Sequence, residues 1–597
     1  MMSRETEQSS APPHVARAST AGRPAAAVQL QRARVAWACF GAASAAAVVL
    51  IAIAASGTTF TGDEWGILFR LADRPFADAV FDPPAGKYLL VAPTLIYAAL
   101  AELLGTDSYV PYRVTGMVLV VLAAGLFLEF ARRRMGYGLA LGGAVLLLFF
   151  GAASEVVAIP GRVPSQIAMC AGLGMLLALE RNDRRGDVAA CVLCALAVTS
   201  HPVGLAFLAA AVAWIALDDP ARRWNRSWVA LVPLALYALW YATLRDSIEV
   251  ARPEFSDTVS FAWDTFVAVC GALTGVFRTP WTIHVDFINA WSTVVAIVSI
   301  VIGVAAIART RRLTAGLVAA LAALGVDLIG PAISHGGLEN LFREPDAARY
   351  LYPGAIFVLL VAAELIGARP LETRFRRLVL GLATLVFLSA LYSNVSYLVD
   401  RTGSLATGGD LIRAELGALE LAREGDRGQL PRGSPAPEDS IRALSLLSGP
   451  LGAPAEQVVS AAPAYFLITD EFGSPASTRA QLERSASPFR ERADLVLASA
   501  IPVELEPAGR APAQREPGSC LKLDPSGAVP PGRYWVEGGR GTPPNLRLGR
   551  LAEEPTYPIE WPSRGRNASL LLPRAELGEV PWKLLAYPGG KTAVCPY

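Results

Sequence analysis

Between Arg34 and Asp63 this chain carries no charged side chain, and residues 35–56 are apolar enough and numerous enough to cross a bilayer, which takes about 20 residues as a helix. The pattern returns over the first two-thirds of the sequence: long apolar runs separated by short loops, several rich in arginine. Such a chain must fold as a bundle of membrane helices. Composition agrees, with 53% of the 597 residues hydrophobic, 18% charged and a mean hydropathy of +0.39. These values exclude a disordered chain and a small disulfide-built one. The formal net charge of +1 offers no bulk attraction for nucleic acid, so none is expected as a partner.

Placing the arginine-rich loops in the cytoplasm gives each run a direction. Those loops are 132–134, 181–185, 222–226, 309–312 and 369–377. The first span leaves the cytoplasm, so Asp63 is outside and only one crossing fits before Arg132. The run at 112–130 leads straight into the arginines and is that crossing. Residues 87–104 then form a helix along the outer membrane surface, with Pro93 helping to break it, and 261–277 lies there for the same reason. Between Asp187 and Leu217 the chain must cross twice, so Thr199-Ser200-His201-Pro202 becomes the outer tip of a short-legged hairpin. About eleven spans result: 36–56, 112–130, 137–154, 164–180, 188–200, 203–217, 227–244, 287–308, 313–333, 350–368 and 378–398. The expected protein is a multi-pass plasma-membrane protein with a cytoplasmic N-terminus.

Three domains are expected: a disordered tail at 1–34, a transmembrane domain at 35–398 with its first outer loop at 57–111, and an extracytoplasmic domain at 399–597. In the last, residues 410–423 have helical periodicity, with Leu411, Ile412, Leu416 and Leu419 on one side, and 438–447 is another helix. Strand-like runs at 465–469, 495–497, 534–536, 569–572 and 582–587 suggest a β-rich module. Cys520 and Cys595 are the cysteines of this polar region, and outside the cell they would form a disulfide. Cys191 and Cys194 have redox spacing but lie in a span without further ligands, so they read as small core residues.

An unusual set of side chains gathers on the outer face of this topology. It comprises Asp63, Glu64, Asp82, Lys87, Glu155, Arg162, His201, Arg278, His284, Asp286, His335, Glu339, Asp346, Arg349 and Tyr350. Histidine collects in loops simply because it avoids hydrocarbon. Lys87 is more telling, being the first lysine of the chain, with none following until Lys522. Its compact ammonium suits a phosphate oxygen, although a snorkelling interfacial lysine looks the same. Carboxylates, a lysine and arginines at a membrane boundary suit transfer of a sugar from a lipid-phosphate carrier. One carboxylate takes the proton of the acceptor hydroxyl, and cations stabilise the departing phosphate.

The Asp63-Glu64 pair after the first span, the Pro83-Pro84 turn with Lys87, and Arg349-Tyr350-Leu351-Tyr352-Pro353 opening a late span together resemble the GT-C glycosyltransferases. These are integral-membrane enzymes of the protein mannosyltransferase and aminoarabinose transferase type, using polyprenyl-phosphate sugars. The resemblance covers roughly 35–398. It implies Asp63 as catalytic base, Glu64 as its acidic neighbour, and Lys87 and Arg349 as phosphate contacts. Arg162, His201, His335 and Tyr350 are further candidates for the substrate site. The acceptor would be a glycan, lipid or protein, and a divalent cation (magnesium or manganese) would fall to Asp63, Glu64 and Asp82.

Two departures stand out. The Pro-Pro turn continues Ala85-Gly86-Lys87-Tyr88 rather than tyrosine-rich, and Arg162 is followed by Val163-Pro164-Ser165-Gln166 without the second acid. That loss counts against a bound metal, although Glu155 or Asp82 could substitute. Two other classes compete. A transporter or flippase would place ionisable groups in mid-span, where Asp327 is the deep candidate. A non-catalytic scaffold would explain the outer domain but not the set around Asp63. Within that domain Trp535, Trp561 and Trp582 either stack on sugar rings or fill a β core.

Overall fold

The computed structural model describes residues 22–60, 62–81, 89–244, 254–278, 285–310, 313–335, 344–367, 373–424 and 461–475, with Thr478, Ala493 and short strands between 505 and 596. Helix α1 (Gly22–Ala54) is followed by three short helices, α2 (Gly62–Asp73), α3 (Phe76–Phe81) and α4 (Val91–Leu104). Then come α5 (Val110–Leu148), α6 (Ser154–Ala158), α7 (Val163–Leu179), α8 (Arg184–Val198), α9 (Val203–Ala216), α10 (Pro220–Arg226) and α11 (Trp228–Leu244). The remaining helices are α12 (Phe255–Thr274), α13 (Ala290–Thr310), α14 (Ala315–His335), α15 (Ala348–Gly367), α16 (Thr373–Glu424) and α17 (Ala462–Phe472).

Among the described residues, six stretches are long and apolar enough to cross a membrane: Leu30–Ala54, Val110–Ala158, Ala290–Arg309, Ala315–Ser334, Ala348–Gly367 and Leu380–Thr402. The second holds two crossings, because the chain reverses within α5. Gly136 adopts φ 79° and ψ 170°, and Gly143 comes back against Phe127. Only glycine takes that backbone readily. With the shorter α7, α8, α9 and α11, each of the eleven expected spans coincides with a helix. The protein is a polytopic helical membrane protein with a small β region near its C-terminus.

Ion pairs mark the two ends of the bundle. At one end Arg132 and Arg133 meet Glu129 at 2.5 and 2.7 Å, and Arg133 and Arg134 meet Glu180 at 2.7 and 2.6 Å. Arg134 also pairs with Glu364, and Arg226 joins Asp187 and Asp218 at 2.8 and 2.7 Å. At the other end Asp63, Glu155, Arg162, Arg278, Asp400 and Arg401 pair among themselves. Among the described residues no ion pair joins the two sets. The loops sort into an arginine-rich face and an Asp63 face, as the charge parity requires.

Helix α12 has 20 residues but is not among the stretches apolar enough to cross. Its buried side packs near the Asp63-face ends of neighbouring spans. Phe261 sits edge-on to Tyr350, Gly271 lies against Ser292, and Gly275 caps it against Ala390. That placement agrees with an interfacial helix. Helix α4 differs in detail from expectation: Pro93 lies in its first turn, where a missing N–H costs nothing, and so opens the helix rather than breaking it.

Two further expectations need correction. Residues 22–34 belong to α1 and are helical, not disordered. Residues 465–469 are helical within α17, not a strand. At the α5–α6 turn, Asn394 is fully buried: its Oδ1 accepts the Ala152 N–H at 3.0 Å and its Nδ2 donates to the Ala272 carbonyl at 2.9 Å. Gly151 touches the Asn394 carbonyl so closely that no Cβ fits. Gly151→Ala is therefore expected to cost about 3 kcal/mol, as overpacking does, read as a lower unfolding temperature in detergent.

The polar C-terminal region begins as helix. Helix α16 runs unbroken from the last span to Glu424, and its final turns bury Ile412, Leu416 and Leu419 with Trp65, Tyr97 and Tyr465. Leu411 and the 438–447 and 495–497 expectations lie outside what the structure describes of those positions. Two antiparallel sheets follow. One orders β1 (Leu505–Pro507), β7 (Asn567–Leu572), β4 (Gly532–Glu537), β9 (Ala593–Pro596) and β2 (Leu521–Lys522). The other orders β3 (Ser526–Val529), β8 (Trp582–Tyr587), β5 (Asn545–Gly549) and β6 (Tyr557–Ile559). Trp535 of β4 is buried core. Trp561 and the side chain of Trp582 lie outside the described residues. Cys595 is disulfide-bonded, while its expected partner Cys520 lies outside the described residues.

Candidate functional site

Asp63 and Glu64 occupy the first turn of α2, where the helix dipole favours negative charge. Helical geometry sends them in different directions. Asp63 points outward with its side chain 56% exposed, and its Oδ2 accepts from Arg162 Nη1 at 2.9 Å. Glu64 is fully buried. Its Oε1 accepts the Tyr97 hydroxyl at 2.9 Å and its Oε2 the Tyr109 hydroxyl at 3.0 Å. Burial, and then the Glu64 charge, raise both phenols well above their ordinary range, so they stay protonated and keep donating. Phe60, Trp65 and Tyr112 close this clamp with aromatic contacts.

Around Asp63 the other loops of that face converge. Arg162 ends the turn before α7 and reaches Glu155 at 3.7 Å, and Glu155 in turn faces Arg401 at 3.9 Å. Beside them Arg278 holds Asp400 at 2.6 Å. These pairs are partly exposed, where an ion pair is worth about 0–1 kcal/mol, so an incoming anion can displace them. His201 sits at the α8–α9 tip, partly buried, with Nδ1 accepting the Val203 N–H at 3.2 Å. The neutral ring therefore carries its proton on Nε2.

Burial, with Arg162 and Arg349 adding repulsion, pushes His201 from 6.5 down to about 3. The unfolded chain takes up that proton at higher pH than the folded one. This contribution to stability is therefore whole above pH 6.5 and is lost as pH falls towards about 3. Asp346 works oppositely: burial, then Glu344 and Asp286, lift it from 3.8 to about 6, a penalty relieved by acid. His201→Asn should flatten the acid loss of unfolding temperature between about pH 7 and about pH 4.5, while the Asp346 contribution persists in both proteins.

The structure thus brings Asp63, Arg162, His201 and Arg349 to one face and separates Glu64 into the aromatic clamp. Tyr350 is buried against Phe261, and the Arg349 guanidinium lies 4.9 Å from its ring. His335 ends α14, but its side chain is not described, and Asp82, Lys87, His284 and Glu339 lie outside the described residues. Asp400 and Arg401 were not singled out from sequence. Their signal was available, since they directly follow the last expected span as Asp63 follows the first. Among the described residues no group of three or more His, Cys, Asp or Glu could hold a metal ion. Asp63 is engaged by Arg162 and Glu64 by tyrosines, so this pair does not form a cation site with the described residues.

Fold and site define a polytopic helical membrane protein with an arginine-lined carboxylate at one face. No protein-family model matches the chain, and no curated protein matches it. Solved structures that it is similar to include ArnT from Cupriavidus metallidurans in the apo state, with TM-score 0.40 and 15% identity over 66% of this chain and 82% of that one. The same protein bound to undecaprenyl phosphate gives TM-score 0.35 and 15% identity over 73% and 77%. The Archaeoglobus fulgidus oligosaccharyltransferase in the apo form gives 0.39 and 15% over 69% and 60%. At this identity no residue's role passes from them to this chain.

Proposed function

We propose that this protein is a membrane glycosyltransferase that moves a sugar from a polyprenyl-phosphate carrier to an acceptor hydroxyl on the extracytoplasmic side. The observation that carries this reading is Asp63, a half-exposed carboxylate held by Arg162 among further guanidiniums from separate loops. A lipid-phosphate donor keeps its chain in the bilayer, so its reacting carbon must meet protein at a membrane face. Its phosphate displaces Asp63 from Arg162, which frees the carboxylate for the acceptor. Asp63 takes the hydroxyl proton as the acceptor oxygen bonds to the anomeric carbon. The anomeric carbon–oxygen bond breaks, and its electron pair leaves on the carrier phosphate.

Arg162 and Arg349 stabilise that leaving charge, and His201 donates its Nε2–H. Lys87 joins them as a point charge, and Glu64 acts from the clamp by fixing the first turn of α2. The arginine-rich face is cytoplasmic, so the Asp63 face and the sheets are extracytoplasmic. The test is transfer of radiolabelled sugar from a panel of polyprenyl-phosphate donors in membranes containing the protein. Incorporation above membranes lacking it supports the reading; none across the panel, with correctly inserted protein, refutes it. Arg162→Gln is expected to lower kcat/KM at least about tenfold, mostly by raising the donor KM. An unchanged KM would remove Arg162 from the phosphate site.

A further inference from the structure

The arginine-rich face holds a second arrangement that sugar transfer does not use. There Arg132, Arg133, Arg134, Arg181 and Arg226 are all tied to carboxylates. Arg184 and Arg185, in the first turn of α8, are exposed, and among the described residues neither makes an ion pair. Their acidic neighbours are already committed. Asp183 accepts the Gly186 N–H at 2.6 Å and pairs with Arg181, while Asp187 holds Arg226. Directly along α8 from the two guanidiniums runs an open apolar face formed by Val188, Ala189, Val192 and Leu193. Val188 and Val192 are 49% and 61% exposed, one helical turn apart, so they form a stripe facing outward.

The length of α8 says what lies against that stripe. Its 15 residues span about 22 Å, whereas the hydrocarbon core is about 30 Å thick. The other end of α8 is anchored, because Thr199 accepts the Val91 N–H at 2.9 Å and the tip carries His201 near Arg162. The arginine stems supply the remaining reach, so the two guanidiniums meet the opposite side at the level of the lipid headgroups. At that level the anions within reach are lipid phosphates. Guanidinium forks match phosphate oxygens bidentately.

We propose that this face of α8 is a binding site for an anionic phospholipid. Its phosphate sits on Arg184 and Arg185, and an acyl chain lies along Val188 and Val192. The occupant is a lipid and not a free anion because the apolar stripe continues from the charges into the membrane. The site is independent of the reaction proposed above and lies on the opposite face.

The test is photocrosslinking of the full-length protein in vesicles of mixed phosphatidylglycerol and phosphatidylcholine, each lipid supplied in turn as an acyl-chain diazirine probe. Labelled peptides are mapped by mass spectrometry. Labelling at 188–193 by the phosphatidylglycerol probe is expected to exceed that by phosphatidylcholine about thirtyfold, as two basic residues at a membrane surface should give. The double variant R184Q/R185Q should fall to the phosphatidylcholine level, and R184K/R185K should retain most of the labelling. Val192→Trp covers the apolar stripe without touching the charges and should also lose it, which guards against misinsertion of the glutamine variant. Equal labelling by the two lipids, or undiminished labelling of R184Q/R185Q, would overturn the proposal.

Discussion

Asp63→Asn is expected to lower sugar transfer at least about a hundredfold, the loss that follows removal of a general base. Asparagine keeps the size and shape of the side chain but cannot accept the acceptor's proton. Stability should scarcely change. The Asp63 side chain is 56% exposed and contributes to folding chiefly through one solvent-facing pair with Arg162, worth at most about 1 kcal/mol. Lost activity with an unchanged unfolding temperature is the expected signature. A variant that unfolds, or one that works normally, would each remove the assignment of Asp63 as base.

Glu64→Ala should do the opposite and strike the fold first. It leaves the Tyr97 and Tyr109 hydroxyls without the carboxylate they donate to, inside a cluster sealed by Trp65 and Tyr465. Each buried hydroxyl stranded in this way costs about 1–3 kcal/mol, and the cavity adds to it. A total of about 3–5 kcal/mol is expected, seen as a large drop in unfolding temperature in detergent. Glu64→Gln retains one good acceptor and should lose less than half as much. If Glu64→Ala were neutral for stability but inactive, Glu64 would belong with the reacting groups.

Much of the membrane domain was legible because two strong signals agree in this chain. Apolar runs give the spans, and arginine loops give their sense, so even the hairpin turning at His201 follows from parity. The interior of the site was harder to read. Glu64 and Asp63 are adjacent in sequence, and only the tyrosines 33 and 45 residues away decide which carboxylate is buried. The junction at 399 misled for a different reason. Glycines at 403, 408 and 409 look like helix breakers, yet α16 continues through them. Gly409 is required there because the Gly57 carbonyl passes where a Cβ would stand. Residues 465–469 have the aromatic and β-branched look of a strand. Packing of Tyr465 on Trp65 and its hydroxyl bond to Glu420 at 2.8 Å override that propensity.

This last contact gives the C-terminal region a role in shaping the site. Arg413 donates to the Gly57 carbonyl at 2.5 Å, and Thr106 N–H donates to the Phe472 carbonyl at 2.9 Å. The helix carrying Asp63 and Glu64 is thus sandwiched between the first span's exit and α16–α17. Tyr465→Ala is expected to lower stability by about 3–5 kcal/mol, typical for a large buried aromatic, and to loosen α2 with it. Unfolding temperature measured alongside transfer activity checks both effects.

The most direct test of the account is a single-turnover assay with purified protein in liposomes, a polyprenyl-phosphate sugar and an acceptor extract. Wild type should release free polyprenyl phosphate in step with glycosylated product, and Asp63→Asn, equally folded, should release neither. Equal turnover by the two proteins, or no turnover by wild type across the donor panel, would contradict the claim that Asp63 centres a glycosyltransferase site.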